Sequence, residues 1–113
     1  MLSGYDWGAA IALKMALHDS KSFSKIIAFH PSYNEEKKDE LKGIKTPTLI
    51  LWNKLDQMHP YKKWLPLAQK IPNSTIVSWD NPKATHKEEN SAYHEKIVSP
   101  IVKFLTGVDP LAS

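Results

Sequence analysis

The chain of 113 residues contains no cysteine, which excludes disulfide bonds and thiolate metal sites. It has no apolar run of membrane-spanning length and no secretion signal at its start, so we expect a cytoplasmic protein without a membrane partner. The net charge of +3 is mild and the lysines are scattered, which argues against a nucleic-acid partner. The sequence contains no internal repeat, and its length predicts one domain.

Glycine is also scarce, and two of the four glycines flank one acidic residue. Residues 4–8 read Gly-Tyr-Asp-Trp-Gly, and small and apolar residues follow at once. This is the layout of a nucleophile elbow, a sharp strand-to-helix turn, with Asp6 at the place usually taken by Ser. Glycine is expected at both flanks because neighbouring backbone crowds the turn and a positive φ must be accommodated. The alternative is an ordinary turn in which Asp6 caps the helix.

An aspartate at this position would work differently from a serine. The Asp6 carboxylate is ionised at neutral pH and can displace a leaving group from an alkyl carbon without a base. The product of that step is an alkyl ester, and a base is needed only to activate the water that cleaves it. The chain should therefore supply a histidine, and an acid that orients it, downstream of Asp6.

The pattern along the chain alternates helices with short apolar strands, which predicts an α/β fold. We expect a parallel sheet of about three strands with flanking helices on both faces. Ligands of such sheets bind beyond the carboxyl ends of the strands. The highly charged stretch 35–45 is expected to be a short exposed helix or a linker. The predicted helices span 9–18, 60–71 (kinked at Pro66) and 90–105 (kinked at Pro100, with Gly107 just past its end), and the predicted strands span 25–29, 48–52 and 75–79.

Two loops at the carboxyl ends of the predicted strands contain the other catalytic candidates. Asp56 follows the clearest strand and could orient an imidazole, although a helix-capping role is the alternative. His86 follows the third strand and is the candidate base, against the alternative of a surface histidine in a polar loop. The remaining histidines rank lower. His94 lies on the last helix, His59 is a loop residue beside Asp56, and His18 and His30 end regular elements without a partner pattern.

No metal site and no cofactor are predicted. His86, His94 and the nearby glutamates lack the tight i, i+4 ligand spacing of a zinc helix. The proposed chemistry needs only water and three side chains.

The order Asp6, Asp56, His86 is the chain order of the α/β-hydrolase fold. On this order, on residues 4–9 and on residues 55–60, the chain resembles that superfamily, specifically the Asp-nucleophile branch of epoxide hydrolases and haloalkane dehalogenases. The resemblance implies that Asp6 is the nucleophile, Asp56 the orienting acid and His86 the base. It also implies that the backbone N–H of Trp7 is an oxyanion donor, and that the substrate is a small molecule.

The chain departs from the family in what it lacks. Only residues 1–3 precede the elbow, so the first four strands and the second oxyanion loop have no counterpart. The stretch 35–45 stands in place of the cap domain. Thr85 and Asn53 replace glycines that are common beside the catalytic His and acid. We therefore interpret 1–113 as one partial α/β-hydrolase domain, the carboxyl-terminal portion, with elbow helix 4–18, acid loop 53–60 and His loop 80–89.

Two expectations follow if the chain is a partial domain, and a second function competes with hydrolysis. Strand Ile26 to Phe29 should lose its neighbour and expose an apolar edge, which favours self-association or pairing with an amino-terminal part. The isolated chain is expected to be inactive. The rival is a non-catalytic binding or interaction module derived from a hydrolase. A serine esterase is disfavoured because Ser3 lies outside the elbow centre.

Overall fold

The computed structural model describes residues 2–5, 7–19, 21–31, 33, 35–54, 61–79 and 94–111. Its strands are β1 (Leu2–Tyr5), β2 (Ile26–Phe29), β3 (Thr48–Asn53) and β4 (Ser74–Trp79). Its α-helices are α1 (Trp7–His18), α2 (Tyr61–Ala68) and α3 (His94–Leu105), and a 3-10 helix covers Glu35–Gly43. Within these ranges no helix has the length and apolar character needed to span a bilayer.

The four strands form one parallel sheet in the order β1-β2-β3-β4. The prediction of a parallel sheet with flanking helices is confirmed, and the strand beyond the three predicted is β1. The expectation that β2 forms the exposed edge is wrong. Tyr5 pairs with Phe29 and Leu2 with Ile26, so β1 covers that side of β2. Among the described residues, the two end positions of the sheet belong to β1 and β4.

The central strand β3 is buried along its whole length, as a strand covered on both faces must be. Its side chains alternate between two cores with a period of two residues. Ile50 and Trp52 belong to the core under α1, the 3-10 helix and α2. Leu49 and Leu51 belong to the core under α3, where Phe104 is the buried helix residue. The sheet therefore has helices on both faces, with α3 alone on its face among the described elements.

The charged stretch between β2 and β3 is more firmly attached than an exposed linker. Leu41 and Ile44 are fully buried in the same core as α1 and α2. The Asp39 carboxylate forms an ion pair at 3.2 Å with the ammonium group of Lys70, a residue that lies just after the end of α2. The segment 35–45 was expected to be an exposed helix or a linker. Residues Glu35–Gly43 form a 3-10 helix, and Leu41 within it and Ile44 after it anchor the segment in the core.

Hydrogen bonds from the backbone that follows α3 and from the Lys25 side chain close the carboxyl end of this helix. Gly107 has a φ of +83°, and its N–H and that of Val108 donate to the carbonyls of Phe104 and Lys103. This is a Schellman ending, which the glycine at 107 had indicated. The Lys25 ammonium donates to the carbonyls of Phe104 at 2.5 Å and Leu105 at 3.2 Å. The start of β2 is thereby tied to the end of α3.

Candidate functional site

The turn between β1 and α1 has the shape that an elbow requires. Strand β1 ends at Tyr5 and α1 begins at Trp7, so one residue makes the whole turn. Gly4 lies directly against the start of the helix. A Cβ placed on Gly4 would overlap the carbonyl of Gly8 and approach the backbone nitrogen of Ala9 to 2.5 Å. Glycine is required at position 4 because strand and helix backbones meet there.

The second glycine of the motif does not follow the same rule. A Cβ on Gly8 would meet no described atom within 4 Å, and neither Gly4 nor Gly8 has a positive φ. The expectation that backbone crowding and positive φ demand glycine at both flanks is therefore right for crowding at Gly4 and wrong for Gly8. Among the described residues, no atom occupies the space beside Gly8.

The predicted nucleophile Asp6 occupies the single position between strand and helix and lies outside the described residues. Trp7 is described as the first residue of α1, although its side chain is not. The first N–H groups of an α-helix have no acceptor within the helix, so the Trp7 N–H is a donor available at this turn. A donor of this kind, with the helix dipole behind it, can hold an anion.

The other predicted catalytic residues follow β3 and β4, at the carboxyl ends of these strands. Asn53 and Trp79 are the last residues of these strands and pair with each other, and the Lys54 N–H donates to the Trp79 carbonyl at 2.8 Å. Asp56, His59 and His86 all lie outside the described residues. Because the strands are parallel, their carboxyl ends lie at the same end of the sheet. The loops that contain Asp56 and His86 therefore begin at the end of the sheet where β1 turns into α1.

His30 also lies at the carboxyl ends of the strands, and its surroundings differ from those expected of an ordinary strand end. It follows β2, is fully buried, and has a φ of +47°, an uncommon conformation for a residue with a side chain. Its ring packs edge-on against Trp52 at 6.1 Å and Trp79 at 6.4 Å between ring centroids. A histidine followed by proline directly after an apolar strand was the available signal. Its backbone strain marks a position held by its surroundings.

A polar network joins α1 to the chain that leaves β2. The Glu40 carboxylate accepts hydrogen bonds from the Lys14 ammonium and the Tyr33 hydroxyl, each at 2.8 Å. The hydrogen bond from Lys14 lowers the pKa of Glu40 and raises the pKa of Lys14. Partial burial, with the bond to Glu40 as the second cause, raises the pKa of Tyr33.

This network lines a groove beside the first turns of α1. The groove holds about 280 Å³ and is bounded by apolar Ala10 and Ile11 on α1 and by Lys14, Tyr33 and Lys37. It opens on the side of α1 that faces the 3-10 helix. The groove combines apolar surface with two ammonium groups, and it lies next to the one-residue turn.

A parallel sheet covered by helices, with a strand–turn–helix that requires glycine at the carboxyl end of one strand, is the arrangement of the α/β-hydrolase fold. Comparison with known proteins agrees, because the model of the dienelactone hydrolase family matches residues 1–96. The chain belongs to the dienelactone hydrolase family. No curated protein sequence matches it.

A solved structure shows the same fold. The crystal structure of a predicted CIB-like hydrolase from Thermoplasma acidophilum, determined at 1.45 Å, superposes with a TM-score of 0.80 at 24% sequence identity. The match covers 94% of this chain and 50% of that protein. The chain therefore spans about half the length of the hydrolase it resembles.

Proposed function

We propose that this chain supplies the nucleophile, acid and base of a hydrolase that forms an alkyl ester on Asp6. The substrate class is an epoxide or an alkyl halide. The observation that carries the proposal is the one-residue turn between Tyr5 and Trp7, with Gly4 pressed against the start of α1. An aspartate at such a turn presents its carboxylate outward, beside the free N–H groups of a helix start.

The first step needs no proton transfer from the nucleophile. A carboxylate oxygen of Asp6 forms a bond to an alkyl carbon, and the bond from that carbon to the epoxide oxygen or the halogen breaks with its electron pair. The halide departs as an anion, while an epoxide oxygen departs as an alkoxide that takes a proton from solvent water. The result is an alkyl ester on Asp6.

The second step uses the remaining residues. His86 takes a proton from water, and the hydroxide adds to the carbonyl carbon of the ester on Asp6. The N–H of Trp7 holds the tetrahedral oxyanion, and Asp56 stabilises the charged imidazole of His86. Collapse of the intermediate releases an alkoxide, which takes the proton back from His86 and leaves as the alcohol. The Asp6 carboxylic acid then releases the second proton of the water to solvent, which restores the carboxylate with one oxygen from water.

The spacing of the strands supports this assignment. Neighbouring strands lie about 4.8 Å apart, so the end of β3 is about 10 Å and the end of β4 about 14 Å from β1. His86 comes seven positions after Trp79, the last residue of β4. Such a segment can extend up to about 24 Å, which is enough to reach the turn at Asp6.

The family description favours a second candidate, the hydrolysis of a lactone. A lactone is a cyclic ester, so its reactive centre is an acyl carbon. Water activated by His86 would then attack the substrate carbonyl directly, and the Trp7 N–H would hold its oxyanion. In this mechanism Asp6 carries no covalent intermediate.

Intact-mass and peptide mass spectrometry after incubation with a terminal epoxide or an alkyl bromide tests the proposal. His86→Gln should accumulate one adduct on the peptide that contains Asp6, because ester formation proceeds and hydrolysis stops. Asp6→Asn in the same background should abolish it, while Asp109→Asn, which removes an exposed carboxylate, should leave it unchanged. Absence of an adduct in His86→Gln refutes the ester mechanism.

A single turnover in ¹⁸O-water separates the two candidates wherever hydrolysis is measurable. An ester on Asp6 places the label in the Asp6 carboxylate, whereas direct attack by water places it in the product. Adduct formation reads the first step alone, so it does not require the parts of the matched hydrolase that this chain does not span. If neither adduct nor hydrolysis is found, the rival interaction module is favoured.

A further inference from the structure

We propose that His30 is a positioning residue of the site, whose buried ring holds the ends of β3 and β4 in place. The ring would thereby fix where the loops that contain Asp56 and His86 begin. This role rests on the proposed function, because Asp56 and His86 are its acid and its base. His30 takes no part in the two chemical steps, yet it is fully buried directly after β2, at the carboxyl ends of the strands.

The backbone of His30 is held in a conformation that a residue with a side chain rarely adopts. Its φ of +47° lies in the left-handed region, where the Cβ crowds the following carbonyl. Among the residues that the structure describes, no other non-glycine residue has a positive φ. The His30 N–H still donates to the Leu51 carbonyl at 3.0 Å, so this residue remains bonded to β3. Such conformations persist where the surrounding contacts impose them, and they cluster at functional sites.

The ring of His30 lies over the carboxyl end of β3. It packs edge-on against Trp52 at 6.1 Å and against Trp79 at 6.4 Å between ring centroids. Trp52 belongs to the core under α1, whereas Trp79 belongs to the core under α3, on the opposite face of the sheet. One ring can contact side chains of both faces only where the sheet ends, because elsewhere the strands separate the two faces. His30 therefore spans the end of β3 and connects it with β4.

The two tryptophans directly precede the loops that supply the acid and the base. Trp52 is the residue before the last in β3, and Asp56 follows it by four positions. Trp79 is the last residue of β4, and His86 follows it by seven positions. The Lys54 N–H donates to the Trp79 carbonyl at 2.8 Å and joins the two strand ends. The ring contacts and this hydrogen bond together fix the starting points of both loops relative to each other.

Packing of the ring on β3 and β4 predicts an effect on one chemical step. Formation of the ester uses Asp6, which follows β1, whereas the ring contacts of His30 lie on β3 and β4. Hydrolysis of the ester uses Asp56 and His86, whose loops leave the two strands that the ring contacts. Removal of the ring should therefore slow hydrolysis and leave ester formation unchanged. A role in stability alone would lower both rates together, through the fraction of folded chain.

Amide hydrogen exchange measured by NMR tests the packing role without any chemistry. The Lys54 amide reports on the carboxyl end of β3, and the Thr48 amide, which donates to the Asn73 carbonyl at 2.9 Å, reports on the amino end. His30→Asn removes the ring and keeps a residue type that tolerates positive φ. It should lower the protection of Lys54 about tenfold more than that of Thr48, because one end of the sheet opens locally. His30→Phe, which keeps a ring, should restore most of this protection.

The lifetime of the ester on Asp6 is the readout for the chemistry. Each chain is incubated with styrene oxide, freed of excess reagent and followed by intact-mass spectrometry, with rates expressed per folded molecule from urea unfolding. His30→Asn should form the adduct at the native rate and lose it about tenfold more slowly, and His30→Phe should restore most of the rate of loss.

Phe104→Leu is the matched control for loss of a buried aromatic ring. Phe104 lies at the other end of the sheet, because the ammonium of Lys25, just before β2, is 5.3 Å from its ring centroid. Its replacement should lower stability and leave both the formation and the loss of the adduct at the native rates.

Several results would overturn the role of His30. One is an unchanged protection of the Lys54 amide in His30→Asn, and another is an equal loss of protection at Thr48. A third is a His30→Phe chain that keeps the adduct as long as His30→Asn does, since the ring nitrogens would then matter and the packing would not. If no chain forms an adduct, or the native chain never loses it, the proposed function fails and this role with it. The exchange data alone then decide whether the ring fixes the strand ends.

Discussion

Replacing Gly4 with alanine is the sharpest test of the strand–helix turn. The added methyl group would overlap the Gly8 carbonyl and lie 2.5 Å from the Ala9 nitrogen. Both neighbours are backbone, so no side-chain rotation can relieve the contact. Strand β1 and helix α1 must separate by about 1 Å, which loosens the close packing expected of a protein interior. Ala9, Ala12 and Leu13, all buried on α1, lie in the layer that would shift.

The magnitude follows from two opposing effects. Overpacking costs about 1–3 kcal/mol, and a contact with rigid backbone belongs at the upper end of that range. Alanine recovers about 0.5 kcal/mol because it reduces the entropy of the unfolded chain. The net loss for Gly4→Ala is therefore about 2.5 kcal/mol. Gly8→Ala meets open space within a helix and should stabilise by about 0.5–1 kcal/mol.

Urea unfolding followed by tryptophan fluorescence measures both variants on one scale. The two motif glycines should differ by about 3 kcal/mol, a factor of more than 100 in the folding equilibrium constant. Thermal melts should place Gly4→Ala about 10–20 °C below the parent chain. Equal stabilities for the two variants, or a larger loss for Gly8→Ala, would refute the close approach of β1 and α1.

Two further predictions concern contacts that the fold itself uses. Lys25→Met removes the ammonium that donates to the carbonyls of Phe104 and Leu105. It should lower the free energy of unfolding in urea by about 1 kcal/mol, whereas exposed Lys21→Met should not. The lowered pKa of Glu40 makes its contribution present above its unfolded pKa and lost as pH falls through the folded value. Glu40→Gln should therefore flatten the decline in Tm below about pH 5, and an unchanged slope would contradict this.

The sequence predicted best where a local pattern and its tertiary environment agree. The run from Leu49 to Trp52 is apolar without interruption, and the structure buries every residue of β3. Gly107 was expected just past the last helix, and it adopts the left-handed conformation there. At Gly4 the motif indicated a crowded turn, and the close approach to the helix is the physical reason.

Other features depend on contacts between distant segments that no local pattern carries. Strand β1 has four residues, too few to show a period, and it becomes a strand because β2 lies beside it. The sequence of segment 35–45 resembles a charged linker because, of its described side chains, Leu41 and Ile44 alone belong to the core. His30 looked like an ordinary strand end, and its burial is fixed by Trp52 and Trp79, which come from later strands.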